Sequence, residues 1–260
     1  MLSYQHIYHA GNAADLHKHA LLAAMLARLT EKPKPLSYLE THSGRALYDL
    51  DSAEALKTGE AAAGVGRLAA RLPADHPYRQ VLARVRAAHG ARAYPGSPLI
   101  AAELLRAGDS LHLAELHPQE GAALRAAMGR RARVHLQDGY EMALSICPPE
   151  PRRGLLLVDP AYEVKGEYDR MADFVKKLHR VWNVGVVAIW YPILRDARHA
   201  PMLRALEGLD LPKVLKSEVR FPPAREGHGM VGSGMFVVNT PFGTEEEAAR
   251  LTALFAEAAG

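Results

Sequence analysis

The chain has 260 residues, 48% of them apolar, with 32 basic against 29 acidic side chains, a net charge of +3 and one cysteine, Cys147. That size and composition predict one α/β domain with an insertion, and the slight basic excess is compatible with an acidic partner. One cysteine excludes an internal disulfide and a multi-cysteine zinc site. No apolar run is long enough to span a membrane, and "MLSYQHIYHAGNAADLHKH" lacks the basic-then-apolar pattern of a secretion signal, so a cytoplasmic protein is expected.

The first predicted element is a helix over 13–32. Leu22, Met25 and Leu29 form one stripe, Leu21 and Leu26 lie beside it, and Pro33 and Pro35 stop it. "PLSYLETHSG" reads as a short buried strand ending near Thr41. The stretch 53–90 is rich in alanine, arginine and leucine, with Pro73 and Pro77 between two helical parts; it reads as a helical insertion, bounded at 51–93. Six arginines (67, 71, 79, 84, 86 and 92) accompany one acid, Asp75, which suits either a solvated helix face or a phosphate-contacting patch. "AYPGSP" (93–98) reads as a turn and "PLIAAELLRAG" as a helix ending at Gly108.

Strands and helices then alternate. "SLHLAEL", "ARVHLQ", "GLLLV" and "VGVVAIWYP" are strands. Helices follow at 118–129, in "YEMALSI", from Tyr168 to Val181 and in "RHAPMLRALEGL". "PKVLKSEVRF" and "GSGMFVVNT" close the chain as an antiparallel pair. The expected architecture is α/β: a Rossmann-like, mostly parallel, seven-stranded sheet with helices on both faces.

Ligands in such sheets bind beyond the carboxyl ends of the strands. The first strand ends in Glu40, Thr41, His42, Ser43 and Gly44; the next three end in Glu115, in Asp138-Gly139 and in Asp159-Pro160-Ala161-Tyr162. Glu115 is suited to accept two ribose hydroxyls, and Asp138 to accept from an adenine amino group, although Asp is also a common helix N-cap. Asp159 supplies a carboxylate, Pro160 a carbonyl of defined direction, and Tyr162 a flat face. Together they describe a receptor for an exocyclic amino group on a flat ring. The competing reading is a plain helix-entry turn. "VVNTPF" (237–242) is a decoy: Thr240 separates its proline from Asn239, and it follows the last strand.

With these residues in view, the chain resembles class I S-adenosylmethionine-dependent amino-methyltransferases, and more narrowly the RlmJ-type 23S ribosomal RNA adenine-N6 methyltransferases. The opening block, "YLETHSG", "AYPGSPLIA", "LAELHP", "QDGY", "LVDPAYE", "WYP" and "GSGMFVVN" carry the likeness across essentially the whole chain. The resemblance implies S-adenosylmethionine as cofactor, with Lys18, His19, His42 and Ser97 along it. Glu115 would hold its ribose, and Asp138 and Gly139 its adenine. Asp159 would be the catalytic acceptor, also touching the cofactor, with Pro160 and Tyr162 beside it. Tyr4 and His6 would meet the target nucleotide, and the insertion would help hold RNA. The implied partner is 23S ribosomal RNA, naked or partly assembled, with no membrane, no metal, no obligate protein partner and a monomeric state. Two departures stand out: Ala161 replaces the second proline of the D-P-P-Y motif, and "THSGRA" has one glycine where most methyltransferases have G-x-G. The alternatives are a DNA adenine methyltransferase, or a nucleic-acid-binding protein serving use of external DNA.

Overall fold

The computed structural model describes residues 5–163, 166–224, 227 and 229–259. The amino-terminal half carries α1 (Ala13–Thr30), β1 (Ser37–Glu40), β2 (Leu47–Asp49), α2 (Ala53–Thr58), α3 (Pro77–His89), β3 (Ala93–Pro95) and α4 (Ser97–Leu104). Then come β4 (Ser110–Ala114), α5 (Pro118–Met128), β5 (Arg133–His135), α6 (Gly139–Ile146), β6 (Gly154–Val158), α7 (Gly166–Val181) and β7 (Val186–Leu194). The chain closes with α8 (His199–Glu207), β8 (Leu215–Arg220), β9 (Met230–Val238) and α9 (Thr244–Ala259).

Seven strands form one sheet in the order β5-β4-β1-β6-β7-β9-β8, and β9 alone among them runs against the rest. This is the expected Rossmann-like, mostly parallel seven-stranded sheet. From β1 the chain runs outward through β4 and β5, then returns to β6 on the other side of β1. The order therefore reverses between the carboxyl ends of β1 and β6, where such folds open a binding crevice.

Side chains alternate across these strands, dividing the core in two. Tyr38, Leu155, Leu157 and Ala188 face α1, α4 and α9; Leu39, Leu156, Val158 and Ile189 face α6, α7 and α8. Helix α1 starts at a reciprocal cap: Asn12 Oδ1 accepts from the Asp15 amide (2.9 Å), and Asp15 Oδ2 accepts from the Gly11 amide (2.8 Å). Most of α1 is buried, including His17, Lys18 and His19. These polar side chains must therefore find partners inside the molecule.

Three expectations are corrected. Residues 93–95 form a strand rather than a turn: β3 pairs antiparallel with β2, placing Tyr94 opposite Tyr48, and burial of this aromatic pair outweighs the local turn signals. Helix α4 ends at Leu104, before Gly108. The chain also ends in α9, for which the sequence reading had no element; three glutamates in its first turn suit a helix amino terminus.

The arginines of 67–92 largely serve the fold. Arg79 donates to the carbonyls of Ala70 and Leu72, Arg67 to that of Ala258, Arg84 pairs with Glu103, and Arg92 with Asp51. Among the described residues, no helix is long and apolar enough to cross a membrane.

Candidate active site

The strand period places the site. In β6, Leu155 and Leu157 face α1, so the next residue of that parity, Asp159, also faces α1. The same count puts Glu40 of β1 and Trp190 of β7 on that face, on three neighbouring strands. Helix α1 crosses above them and supplies Lys18.

Lys18 donates to Asp159 Oδ2 at 2.6 Å and lies 3.1 Å from Asp15 Oδ1. Burial pushes its amine down, but the two carboxylates outweigh this and hold it above the usual lysine range. Asp15 is 1% exposed; burial alone would raise its pKa, yet His6, Lys18 and His19 hold it well below the carboxylate range. His6 Nε2 is 2.9 Å from Asp15 Oδ2. A polar chain thus runs from His6 through Asp15 and Lys18 to Asp159.

Tyr162 takes a left-handed backbone, φ 56°, a conformation uncommon for a bulky residue and often found at functional sites. Its hydroxyl donates to the Trp190 carbonyl (2.7 Å), and its ring stacks on Tyr168, with centroids 4.4 Å apart. Pro160 is buried beside it. Trp190 is half-buried, 6.1 Å from the Tyr162 ring and 5.3 Å from Lys18 Nζ.

Around the reversal point, Glu115 accepts from two backbone amides, Gly44 (2.8 Å) and His117 (2.7 Å), while burial raises its pKa against those bonds. Asp138 caps α6, accepting from the amides of Tyr140 and Glu141 through Oδ1; the alternative noted for this aspartate is realised. A side chain on Gly139 would meet the Thr41 carbonyl at 1.9 Å, so the loop after β1 and the start of α6 touch backbone to backbone. His42 packs edge-on to Tyr140 and lies 2.7 Å from Thr41 Oγ1; burial lowers its pKa to about 4.

Four expected positions need comment. Lys18 reaches the Asp159 carboxylate, so its amine sits with the candidate catalytic acid. His19 is 1% exposed and turned toward Tyr94 (2.9 Å), its pKa lowered to about 3 chiefly by burial. Ser97 donates to Glu40. Tyr4 lies outside the described residues. The decoy falls at the far end of the sheet: antiparallel β9 carries Asn239 to the carbonyls of Asn183 and Gly185, before β7 begins.

Sequence reasoning gave no role to Asp15, Trp190 or Glu40. The Asp15–Lys18 spacing of i,i+3 was the available signal. Glu40 is fully buried, and burial raises its pKa to about 8 although Ser97 and Tyr38 (2.8 Å) both donate to it. A carboxyl raised on folding stabilises most below its unfolded value near 4.5 and progressively less up to about 8. Glu40→Gln is therefore expected to flatten the fall in stability between pH 5 and 8, on the order of 2–4 kcal/mol. Urea unfolding at both pH values checks this; parallel slopes for variant and parent would refute it.

A family model described as "Ribosomal RNA large subunit methyltransferase D, RlmJ" matches residues 33–259. Ribosomal RNA large subunit methyltransferase J of Escherichia coli (strain K12) is 39% identical over 252 residues, covering 95% of this chain and 90% of that protein. The Haemophilus influenzae protein of the same name is also 39% identical, over 253 residues and the same shares. A crystal structure of a Legionella pneumophila protein superposes with a TM-score of 0.82 at 34% identity, covering 95% of this chain and 94% of that one. The chain belongs to the RlmJ family of ribosomal RNA large subunit methyltransferases.

Proposed function

We propose that this protein transfers a methyl group from S-adenosylmethionine to the N6 amino group of an adenine in 23S ribosomal RNA. The observation that carries the reading is the buried Lys18–Asp159 pair at the sheet's reversal point, walled by Tyr162 and Trp190.

The residues fit the cofactor. Ser43 Oγ, in the loop after β1, is buried and has no hydrogen-bond partner among the described residues. Each Glu115 oxygen accepts one amide, leaving capacity for ribose hydroxyls. Leu116 and Leu136 are 50% and 47% exposed near that acid, an apolar bracket for a purine. Lys18, His19, His42, Ser97, Glu115, Asp138, Gly139 and Asp159 remain our assignment for the cofactor, Lys18 and His19 through the α1 framework and Ser97 through Glu40. Tyr4 and His6 remain the assignment for the target nucleotide. We treat 1–260 as one methyltransferase domain with the insertion at 51–93, acting as a cytoplasmic monomer.

When bound, S-adenosylmethionine supplies an electrophilic methyl group. Lys18 holds the Asp159 carboxylate by Oδ2, leaving Oδ1 and the Pro160 carbonyl to accept the two amino hydrogens. Tyr162 and Trp190 flank the ring. Hydrogen bonding to Asp159 turns the nitrogen lone pair toward the methyl carbon and stabilises the positive charge that develops there. Positioning would supply most of the rate of a single in-line displacement, in which the nitrogen–carbon bond forms as the carbon–sulfur bond breaks, S-adenosylhomocysteine leaves and the surplus amine proton passes to solvent. Because a stacked base cannot reach this rim, the adenine must be unpaired or flipped.

Incubation with radiolabelled S-adenosylmethionine, fragments of 23S RNA and duplex DNA tests the reading, with nucleoside analysis of the product. N6-methyladenosine in RNA is expected. Label confined to DNA would favour the DNA enzyme, and no label in either would remove the catalytic reading. For the cofactor assignment, Glu115→Ala should weaken S-adenosylmethionine binding by about 1.5–3 kcal/mol, through lost ribose bonds and a loosened Gly44 amide. Calorimetry decides this, and unchanged affinity removes the ribose role.

A further inference from the structure

The face of the sheet that carries Asp159 also holds a buried polar chain that the proposed mechanism does not use. Trp190 Nε1 donates to Ser233 Oγ of β9 at 2.9 Å. His17 Nδ1 lies 2.9 Å from the same hydroxyl, and His17 Nε2 lies 3.0 Å from Ser217 Oγ of β8. Ser233 and His17 are fully buried, and Ser217 nearly so. An indole N–H can only donate, so Ser233 accepts from it, and the Ser233 hydroxyl keeps one hydrogen and a second lone pair for His17 Nδ1. In one tautomer of His17, Nδ1 accepts from Ser233 and Nε2 donates to Ser217; in the other both bonds reverse. In either tautomer the chain is bonded throughout, and it ends on an aromatic ring at the edge of the site.

Burial alone does not explain this arrangement. A core position between two strands and a helix accepts an apolar side chain more cheaply than a histidine with two serine partners. What the polar chain adds is orientation: it fixes the indole plane of Trp190, whose neighbours include Lys18 and the Tyr162 ring. His17 and Lys18 are consecutive in α1, so one helical turn holds the Asp159 carboxylate with one residue and the Trp190 ring with the next.

On the functional reading above, we infer that His17 is a positioning residue, acting through Ser233 to set the Trp190 wall against which the target base is placed.

Two substitutions at one site separate its ring nitrogens. In His17→Asn the side-chain amide can occupy the place of Nδ1 and still bond Ser233 through its oxygen or its NH₂, while the Ser217 contact is lost. In His17→Gln the amide can occupy the place of Nε2 and keep Ser217, while the Ser233 link is lost. Ser233→Ala removes the link at its centre with a smaller change in volume. The chain has two tryptophans, and Trp182 donates its indole N–H to the Arg152 carbonyl, remote from this chain of bonds. Nitrogen-15 spectra of tryptophan-labelled protein therefore show two indole N–H signals, assigned with Trp190→Phe.

In His17→Gln and Ser233→Ala the Trp190 signal should shift and its hydrogen exchange accelerate at least about tenfold, with the Trp182 signal unmoved. Turnover should fall about tenfold with S-adenosylmethionine affinity within about twofold of the parent, and His17→Asn should restore most of it. An unmoved Trp190 signal in Ser233→Ala overturns the proposal, as does unaltered turnover, or loss of both tryptophan signals together with cofactor affinity in every folded variant. Should His17→Gln not fold, Ser233→Ala carries the same comparison. The spectra need no RNA. An absence of methyl transfer by the parent protein would thus count against the functional reading and leave the bond chain tested on its own.

Discussion

Asp159→Asn is expected to lower methyl transfer by about two to three decades, roughly 3–4 kcal/mol of transition-state stabilisation, while S-adenosylmethionine affinity changes little. Asparagine keeps the shape of the side chain but not its charge, and it can present an NH₂ group to the incoming amine. The fold should survive, because Lys18 retains its second partner, Asp15, at 3.1 Å. Two neighbouring substitutions sharpen the test. Tyr162→Phe should be far milder than Tyr162→Ala: the hydroxyl contributes one bond to the Trp190 carbonyl, whereas the ring provides the flat wall and stacks on Tyr168. Asn239→Ala should leave turnover close to that of the parent, since Asn239 ties down the opposite end of the sheet. Single-turnover methylation with each variant checks the set. Loss of turnover in Asn239→Ala together with its survival in Asp159→Asn would place the chemistry after a different strand.

Much of this site could be read from strand ends alone. "GLLLVDPAY" showed a buried strand running into an acid, a proline and a ring, and parallel pairing then forces that acid onto the same rim as Glu115 and Asp138. The sheet itself followed from the alternation of strands and helices. What escaped depends on contacts between residues distant in sequence. Lys18 was singled out only through the family resemblance, as a residue along the cofactor; burial of α1 turns its amine inward to a carboxylate 141 positions away. The arginines of 67–92 cluster in sequence, which suited either a solvated helix face or a phosphate-contacting patch. In space they part, toward backbone carbonyls, Glu103 and Asp51. Residues 93–95 carried turn chemistry, and the partner strand that makes them β-structure lies more than forty positions earlier. Trp190 was visible as part of "WYP". Its facing was not, since a strand buried on both faces shows no polar alternation to reveal it.

Lys18→Met is expected to remove about 3–5 kcal/mol of stability near neutral pH, the range found when one partner of a buried ion pair is deleted. Lys18 is 4% exposed and Asp15 1%, so water cannot take the place of the ammonium. The pH dependence carries a definite sign. In the parent, Asp15 is held below its ordinary value of 3.8, so it contributes stability above that pH and loses it as the pH falls. Without Lys18, Asp15 keeps His6 and His19 but loses one of the charges that oppose its burial, so it shifts toward the neutral acid and the variant regains ground as the pH falls. The stability gap between Lys18→Met and the parent should therefore narrow steadily from pH 7 toward pH 4, as read by urea unfolding. A gap that stays constant would mean that the lysine matters for its methylene packing rather than its charge. Turnover should fall with stability in place, measured at a temperature where both proteins are folded, because Asp159 loses the bond that fixes its orientation. Combining Lys18→Met with Asp159→Asn completes a double-mutant cycle. If the two side chains act as one unit, the pair of substitutions should slow methylation by little more than Asp159→Asn alone.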